Sequence, residues 1–302
     1  METLLECVVN VSEGRNAGVV SGLAAAGGPL VLDVHSDPDH NRSVLTLAGT
    51  TGTLTEAVRT LARRAVDLLD LGAHVGVHPR IGVLDVVPFV ALARSPRRSP
   101  LLLGEGPLSA AMRARDAFAA WAANELALPC FLYGPERSLP ELRRQAWTSL
   151  RPDFGPAAPH PTAGAAAVGA RPPLVAYNLW LSPGADLGLA RRVAACVRGP
   201  AVRALGLAVG DGRRVQVSMN LVDPARLGPG AAHDLVVTAL RDEVPRYGVR
   251  QEVEVEHAEL VGLIPRAVLE AEPRARRSQL GLPESATIEA RLEQAGLDGG
   301  RL

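Results

Sequence analysis

Gly76-Val77-His78-Pro79-Arg80-Ile81-Gly82-Val83-Leu84 joins two elements of different period. Before it, Leu54, Val58, Leu61, Ala62, Ala65, Leu68 and Leu69 keep one face at helical spacing. That predicts an amphipathic helix over Leu54–Leu69, and Thr53 with Glu56 three residues on predicts a capping box at its start. After it, an apolar run reads as a buried strand over Ile81–Leu92. Proline pushes His78 toward extended backbone and fixes the chain direction there. Gly76 and Gly82 allow close backbone approach. The histidine therefore sits on a stiff loop at the mouth of a sheet, with the Arg80 cation beside it. The plain alternative is a turn histidine that caps the strand.

Working outward, Leu4–Val11, Leu30–Val34 and Ser43–Leu47 read as strands, with a weak helix over Asn16–Ala26 between the first two. The order up to Leu92 is thus β-α-β-β-α-β. A helix from about Pro107 to Ala127 and a strand Cys130–Tyr133 extend it. The same order returns later: strand Leu174–Leu181, helix Leu187–Arg198, and strands Val202–Val209 and Val215–Leu221 about the turn Gly210-Asp211-Gly212. A helix around Ala232–Val244 and a strand Val253–Leu263 complete the repeat. Helices from Pro265 and near Glu284–Gln294 follow. The fold class is α+β: two similar subdomains, each a sheet with helices on one face, with a ligand cleft between them. Residues 1–168 form the first and residues 173–302 the second. Composition alone makes the Pro/Ala/Gly tract 152–173 a flexible linker.

At 302 residues the chain suits one or two domains. Acidic and basic side chains cancel at 32 each, and aromatic residues make up only 3%. A nucleic-acid partner is therefore not expected. All 32 cations are arginine, which excludes Schiff-base and P-loop lysine chemistry and suits forked recognition of carboxylates. Cys7, Cys130 and Cys196 are odd in number and set in apolar segments, so they read as reduced core residues. With an acidic N-terminus and no long apolar run, a soluble cytoplasmic protein with no membrane association is expected. Asp37, Asp39, His35, His40, His74 and His78 could bind metal, but Gly76 and Pro79 break the helix that His74 and His78 would need. Hydrogen-bonded loop residues and no metal are the expectation.

Glu6-Cys7-Val8-Val9-Asn10-Val11-Ser12-Glu13-Gly14-Arg15-Asn16 resembles the opening of the formiminotransferase family. The likeness continues in Leu32-Asp33, Asn41-Arg42-Ser43-Val44, His74-x-Gly76-x-His78-Pro79-Arg80-x-Gly82, Tyr133-Gly134 and Pro152-Asp153-Phe154-Gly155-Pro156. Further on come Val168-Gly169-Ala170-Arg171, Gln216-Val217-Ser218-x-Asn220-Leu221 and Glu259-Leu260-Val261-Gly262-Leu263-Ile264-Pro265. The resemblance implies two ferredoxin-like subdomains, a homodimer, and transfer of the formimino group from N-formimino-L-glutamate to tetrahydrofolate. That chemistry belongs to one-carbon metabolism and histidine degradation. By the same resemblance His78 is the catalytic residue. The folate segment is Gly155-Pro156-Ala157-Ala158-Pro159-His160-Pro161-Thr162-Ala163-Gly164, so a binding loop displaces the linker. Val77 and His35 stand where the family usually carries carboxylates, leaving Asp37 and Asp39 as the nearest acids.

Moving a formimino group between amines passes through a tetrahedral carbon. One proton must leave the attacking N5 and one must reach the departing amine, and a histidine of ordinary pKa, about 6.5, can do both in turn. Arg42, Arg80 and Arg171 are candidates for substrate carboxylates, and Asp37 and Asn41 for other substrate contacts. Asn178 and Asn220, within strands, are either satisfied core or pterin contacts. Two competing readings are a metal-dependent hydrolase of formiminoglutamate and a non-catalytic folate-binding protein.

Overall fold

A computed structural model describes residues 3–94, 103–210, 212–247 and 252–297; Asp211, at the tip of the expected Gly-Asp-Gly turn, lies outside them. The chain divides into two compact units, residues 1–172 with 292–302, and residues 173–291.

The first unit begins β1 (Leu4–Val11), α1 (Ala17–Gly27), β2 (Val31–Asp37), β3 (Arg42–Thr50), α2 (Thr51–Leu68), β4 (Leu84–Arg94). It continues β5 (Leu103–Glu105), α3 (Leu108–Glu125), β6 (Cys130–Tyr133), α4 (Leu139–Gln145) and β7 (Ala166–Ala170). The sheet order is β2-β3-β1-β4-β7-β6, with β5 on β4. Thus β4 returns beside β1, as in a split β-α-β pair. On its other edge it pairs parallel with β7, which pairs parallel with β6.

Helix α2 turns Leu54, Val58, Leu61, Ala62 and Ala65 into the core, as its periodicity demands. It starts three residues earlier than the sequence suggests. Its N-cap is Thr50, and Thr53 bonds back to Thr50 instead of forming a capping box with Glu56. The true capping box is Ser138 with Glu141, at the head of α4. Most helical packing is on one face, where Leu5, Cys7, Val9, Phe89, Phe118 and the α2 stripe share a core. A second cluster lies on the other face: Val86, Phe131 and Ala167 alternate with core neighbours along their strands and pack with Leu142 of α4. So α4 departs from the expected one-sided arrangement.

Strand β7 corrects the linker reading of tract 152–173. All five of its residues are buried between β4 and β6. Alanine and glycine mimic linker composition, yet a strand covered on both faces needs only a continuous run of small apolar residues. At Gly169 the Tyr133 ring occupies the space a Cβ would need.

The second unit repeats the order as β8 (Val175–Leu181), α5 (Leu187–Val197), β9 (Val202–Val209), β10 (Arg214–Leu221), α6 (Pro229–Tyr247) and β11 (Val255–Val261). Its four strands run β11-β8-β10-β9, all antiparallel. Gly210 and Gly212 both take positive φ at the β9–β10 turn. The helices α7 (Arg266–Ala271), α8 (Arg274–Arg277) and α9 (Ile288–Gln294) follow. Burial pushes the Cys7 thiol well up and that of Cys130 to about 12, so both stay protonated. Cys196 is exposed, against expectation, because α5 buries Val193, Ala194 and Val197 and turns Cys196 outward. No described helix is long and apolar enough to cross a membrane.

Candidate active site

The loop between α2 and β4 is held from three sides. Arg80 reaches back along it, donating to the carbonyls of His74 (2.8 Å), Gly76 (3.0 Å) and His78 (3.2 Å). Asn41, in the β2–β3 turn with φ 49°, accepts from Gly14 N and donates to Val75 O. His74 Nε2 lies 2.7 Å from Asn41 O. The far end is stitched to residues 162–165: Leu71 N donates to Thr162 O, Val83 N to Ala163 O, and Ala165 N to Ile81 O. A Cβ on Gly82 would collide with the Ala165 carbonyl, and one on Gly164 would come 2.5 Å from Ile81 O. Neither position tolerates a side chain.

His78 is half-buried on this loop. Its Nδ1 lies 2.7 Å from Pro79 O and 2.9 Å from Arg42 Nη1. Among the described residues Nε2 makes no hydrogen bond. The Arg42 guanidinium is anchored by Asn10 Oδ1 (2.7 and 3.2 Å) and by Asp85 Oδ2 (2.7 Å). Arg143 of α4 donates to the same Asp85 oxygen (2.6 Å) and to Pro79 O (2.7 Å). Asp85, fully buried, also accepts from Ile81 N. It owes this position to a β-bulge: Leu84 pairs with Val11 and Val86 with Asn10, which leaves Asp85 as the extra residue.

Two arginines beside one imidazole fix its charge. Burial first, then Arg42 and Arg143, push the His78 pKa far below the histidine range. That overturns the expected ordinary pKa: in the free protein His78 is a neutral imidazole. Its neighbour His40 stands edge-on at 6.0 Å and pairs through Nδ1 with Asp37 (2.7 Å). Burial raises the Asp37 pKa, but hydrogen bonds from His40 and Asp39 outweigh it and hold the carboxyl low.

A model of the formiminotransferase domain, N-terminal subdomain, matches residues 4–171. The chain is 32% identical to the glutamate formimidoyltransferase of Streptococcus pyogenes serotype M1, over 89% of this chain and 91% of that protein. It is 32% identical to the glutamate formimidoyltransferase of Thermoplasma acidophilum, over 97% and 98%. The formimidoyltransferase-cyclodeaminase of Sus scrofa is 33% identical over 90% of this chain and 52% of its own length. The chain belongs to the formiminotransferase family. It is accordingly a transferase.

Within this formiminotransferase fold the sequence candidates separate into groups. His78, Arg42, Arg80, Asn41 and Asp37 come together around the one loop. Their polar ends are largely engaged within the protein: Asn41 and Arg80 brace backbone, and Asp37 pairs His40. Gly155–Gly164 lies against the same loop through Ala163 and Gly164, which are buried. Pro156–Pro159, Pro161 and Thr162 are exposed, and His160 Nδ1 accepts from Ala163 N to shape the turn. Arg171 follows β7 in the first unit and donates to Pro172 O. In the second unit Asn178 is buried and donates to Glu259, whereas Asn220 is exposed on β10.

Asp85, Arg143 and Asn10 escaped sequence reading. A lone acid inside the run Val83–Leu92 was a visible signal for Asp85, since a charge in a buried strand needs partners. The capping box at Ser138 marked the helix that carries Arg143. Of the six possible metal ligands, no three gather among the described residues.

Proposed function

We propose that this chain is a glutamate formimidoyltransferase, moving the formimino group of N-formimino-L-glutamate to N5 of tetrahydrofolate with His78 as general acid–base. The named relatives that match most of the chain support the activity. The observation that carries the residue assignment is the His78 ring, whose Nδ1 faces Pro79 O and Arg42 Nη1 inside the protein while Nε2 is left to meet substrate.

A depressed pKa suits this chemistry. Attack by neutral N5 on the formimino carbon leaves N5 cationic and strongly acidic, so a weak base suffices to take its proton. The imidazolium formed beside two arginines is in turn a strong acid. It returns the proton to the poor leaving amine of glutamate, and the tetrahedral carbon collapses to the amidine on N5. The formimino group carries its own positive charge when protonated, so the residues named here need supply no oxyanion hole. The largely exposed stretch 156–162 stands beside this loop and is where the pterin would lie, flat against proline and alanine backbone. The homodimer, the cytoplasm and the link to histidine degradation rest on the family resemblance.

The test is consumption of N-formimino-L-glutamate with and without tetrahydrofolate. Strict dependence on the folate, with 5-formimino-tetrahydrofolate formed in equal amount, supports the reading. Folate-independent release of glutamate points to a hydrolase, and folate binding without turnover points to a binding protein.

A further inference from the structure

Five contacts around His78 close into a ring. His78 Nδ1 faces Pro79 O (2.7 Å); Arg143 Nη1 donates to Pro79 O (2.7 Å) and its Nη2 to Asp85 Oδ2 (2.6 Å). Arg42 Nη1 donates to that same oxygen (2.7 Å) and returns to His78 Nδ1 (2.9 Å). Nδ1 cannot serve both of its neighbours. A proton on Nδ1 donates to Pro79 O and leaves Nε2 with a lone pair. A bare Nδ1 accepts from Arg42 and puts the proton on Nε2. Only the first tautomer is a base toward N5.

We infer that Asp85 is a positioning residue that selects this tautomer: of the two Nη1 hydrogens of Arg42 it takes one in the shorter contact, 2.7 Å against 2.9 Å to Nδ1, and it holds the Arg143 guanidinium beside Pro79 O, so that the Nδ1 proton stays on Pro79 O and Nε2 is kept unprotonated. The other Arg42 hydrogen bonds run to Asn10, which fixes the plane of the guanidinium without competing for Nη1. The Asp85 carboxylate is fully buried and shared by both arginines, so no solvent ion replaces it. Its place on the bulge of β4 gives it a rigid backbone support.

This inference rests on the proposed role of His78, and its test separates the two. Ring nitrogens of ¹⁵N-histidine-labelled protein are read by NMR at pH 7 without substrate, His78 being identified by its loss in H78A. The wild type should show Nδ1 protonated and Nε2 bare. In Asp85→Asn the proton should move to Nε2, and kcat should fall about 10²-fold, the size of a lost general base, with the KM for folate little changed. Arg143→Met keeps Asp85 and its hydrogen bond to Ile81. It should give a mixture of tautomers and a smaller kcat loss, which preserves the test if Asp85→Asn does not fold. Protonated Nε2 in the wild type overturns the inference, as does an unchanged tautomer in the variants. A correct tautomer pattern in a protein without transfer activity would instead remove the proposed function and leave the ring standing.

Discussion

The two units answer the same topological problem with opposite results. In each, the last strand of the β-α-β-β-α-β order bulges at an acid: Asp85 in β4 and Glu256 in β11. Each acid meets arginine. Asp85 is fully buried, with Arg42 and Arg143 at 2.7 and 2.6 Å. Glu256 is 43% exposed and meets Arg214, 52% exposed, at 2.9 Å. Arg214 also lies over the Trp180 ring, which stacks on His257. An exposed pair is worth about 0–1 kcal/mol, whereas a buried one cannot lose a partner without stranding a charge. What turns the first bulge into a site is cover: β7, β6 and α4 close over one edge of the first sheet and bring Arg143 with them. Strand β11 carries no such addition.

Substitutions can break this contrast, and His78 gives the largest effect. His78→Ala should cut turnover by about 10²- to 10⁴-fold, roughly 3–5 kcal/mol of barrier, and move the melting temperature by no more than about 2 °C. A large fall in melting temperature with normal chemistry would return His78 to the role of a turn residue.

Gly82 should come next. Alanine there meets the Ala165 carbonyl, so the seam between the histidine loop and the 155–164 loop must open. The expected destabilisation is about 1–3 kcal/mol, seen as a melting temperature about 4–8 °C lower. Gly52→Ala, with open space around it in α2, should be neutral or stabilising in the same assay. Equal behaviour of the two glycines would remove the seam from the account.

The exposed loop should respond more selectively. Ala158→Trp should raise the KM for tetrahydrofolate about tenfold, about 1.4 kcal/mol, with unchanged melting, because Ala158 is exposed. Gly164 is a poorer probe, since its substitution disturbs packing against Ile81 before it touches any ligand. Unaltered folate kinetics in Ala158→Trp would take this stretch out of the pterin site. The smallest effect belongs to the second bulge: Glu256→Gln should change turnover less than twofold, and stability by no more than about 0.5 kcal/mol. A loss like that of Asp85→Asn would erase the distinction between the two units.

Hydrophobic periodicity carried most of the architecture. The α2 stripe and the doubled β-α-β-β-α-β order were legible because amphipathic elements state their period locally, and the β9–β10 turn because glycines such as Gly210 and Gly212 mark a positive-φ turn. Strand β7 was hidden because Ala166–Ala170 has the composition of a linker, and only the neighbours it pairs with reveal a strand. The histidine loop was legible through proline and glycine chemistry. Its electrostatics were not, because the charges that set it converge from β3, β4 and α4, with Arg143 lying 58 residues beyond Asp85. A bulge is equally invisible, since it is a property of register between two strands.

The sign of the His78 shift also bears on stability. A histidine held low binds fewer protons folded than unfolded, so its contribution is intact above about pH 6.5 and is lost as pH falls below that. Chemistry should follow the same charge state. The most direct test of a neutral imidazole between two arginines is the pH profile of kcat/KM for transfer from N-formimino-L-glutamate, which reports the free enzyme. Between pH 5.5 and 8 the account predicts no acid limb from His78, because the residue is already neutral throughout. An acid limb with a midpoint near 6.5 that moves in Arg143→Met would show His78 titrating as an ordinary histidine, and would contradict the account.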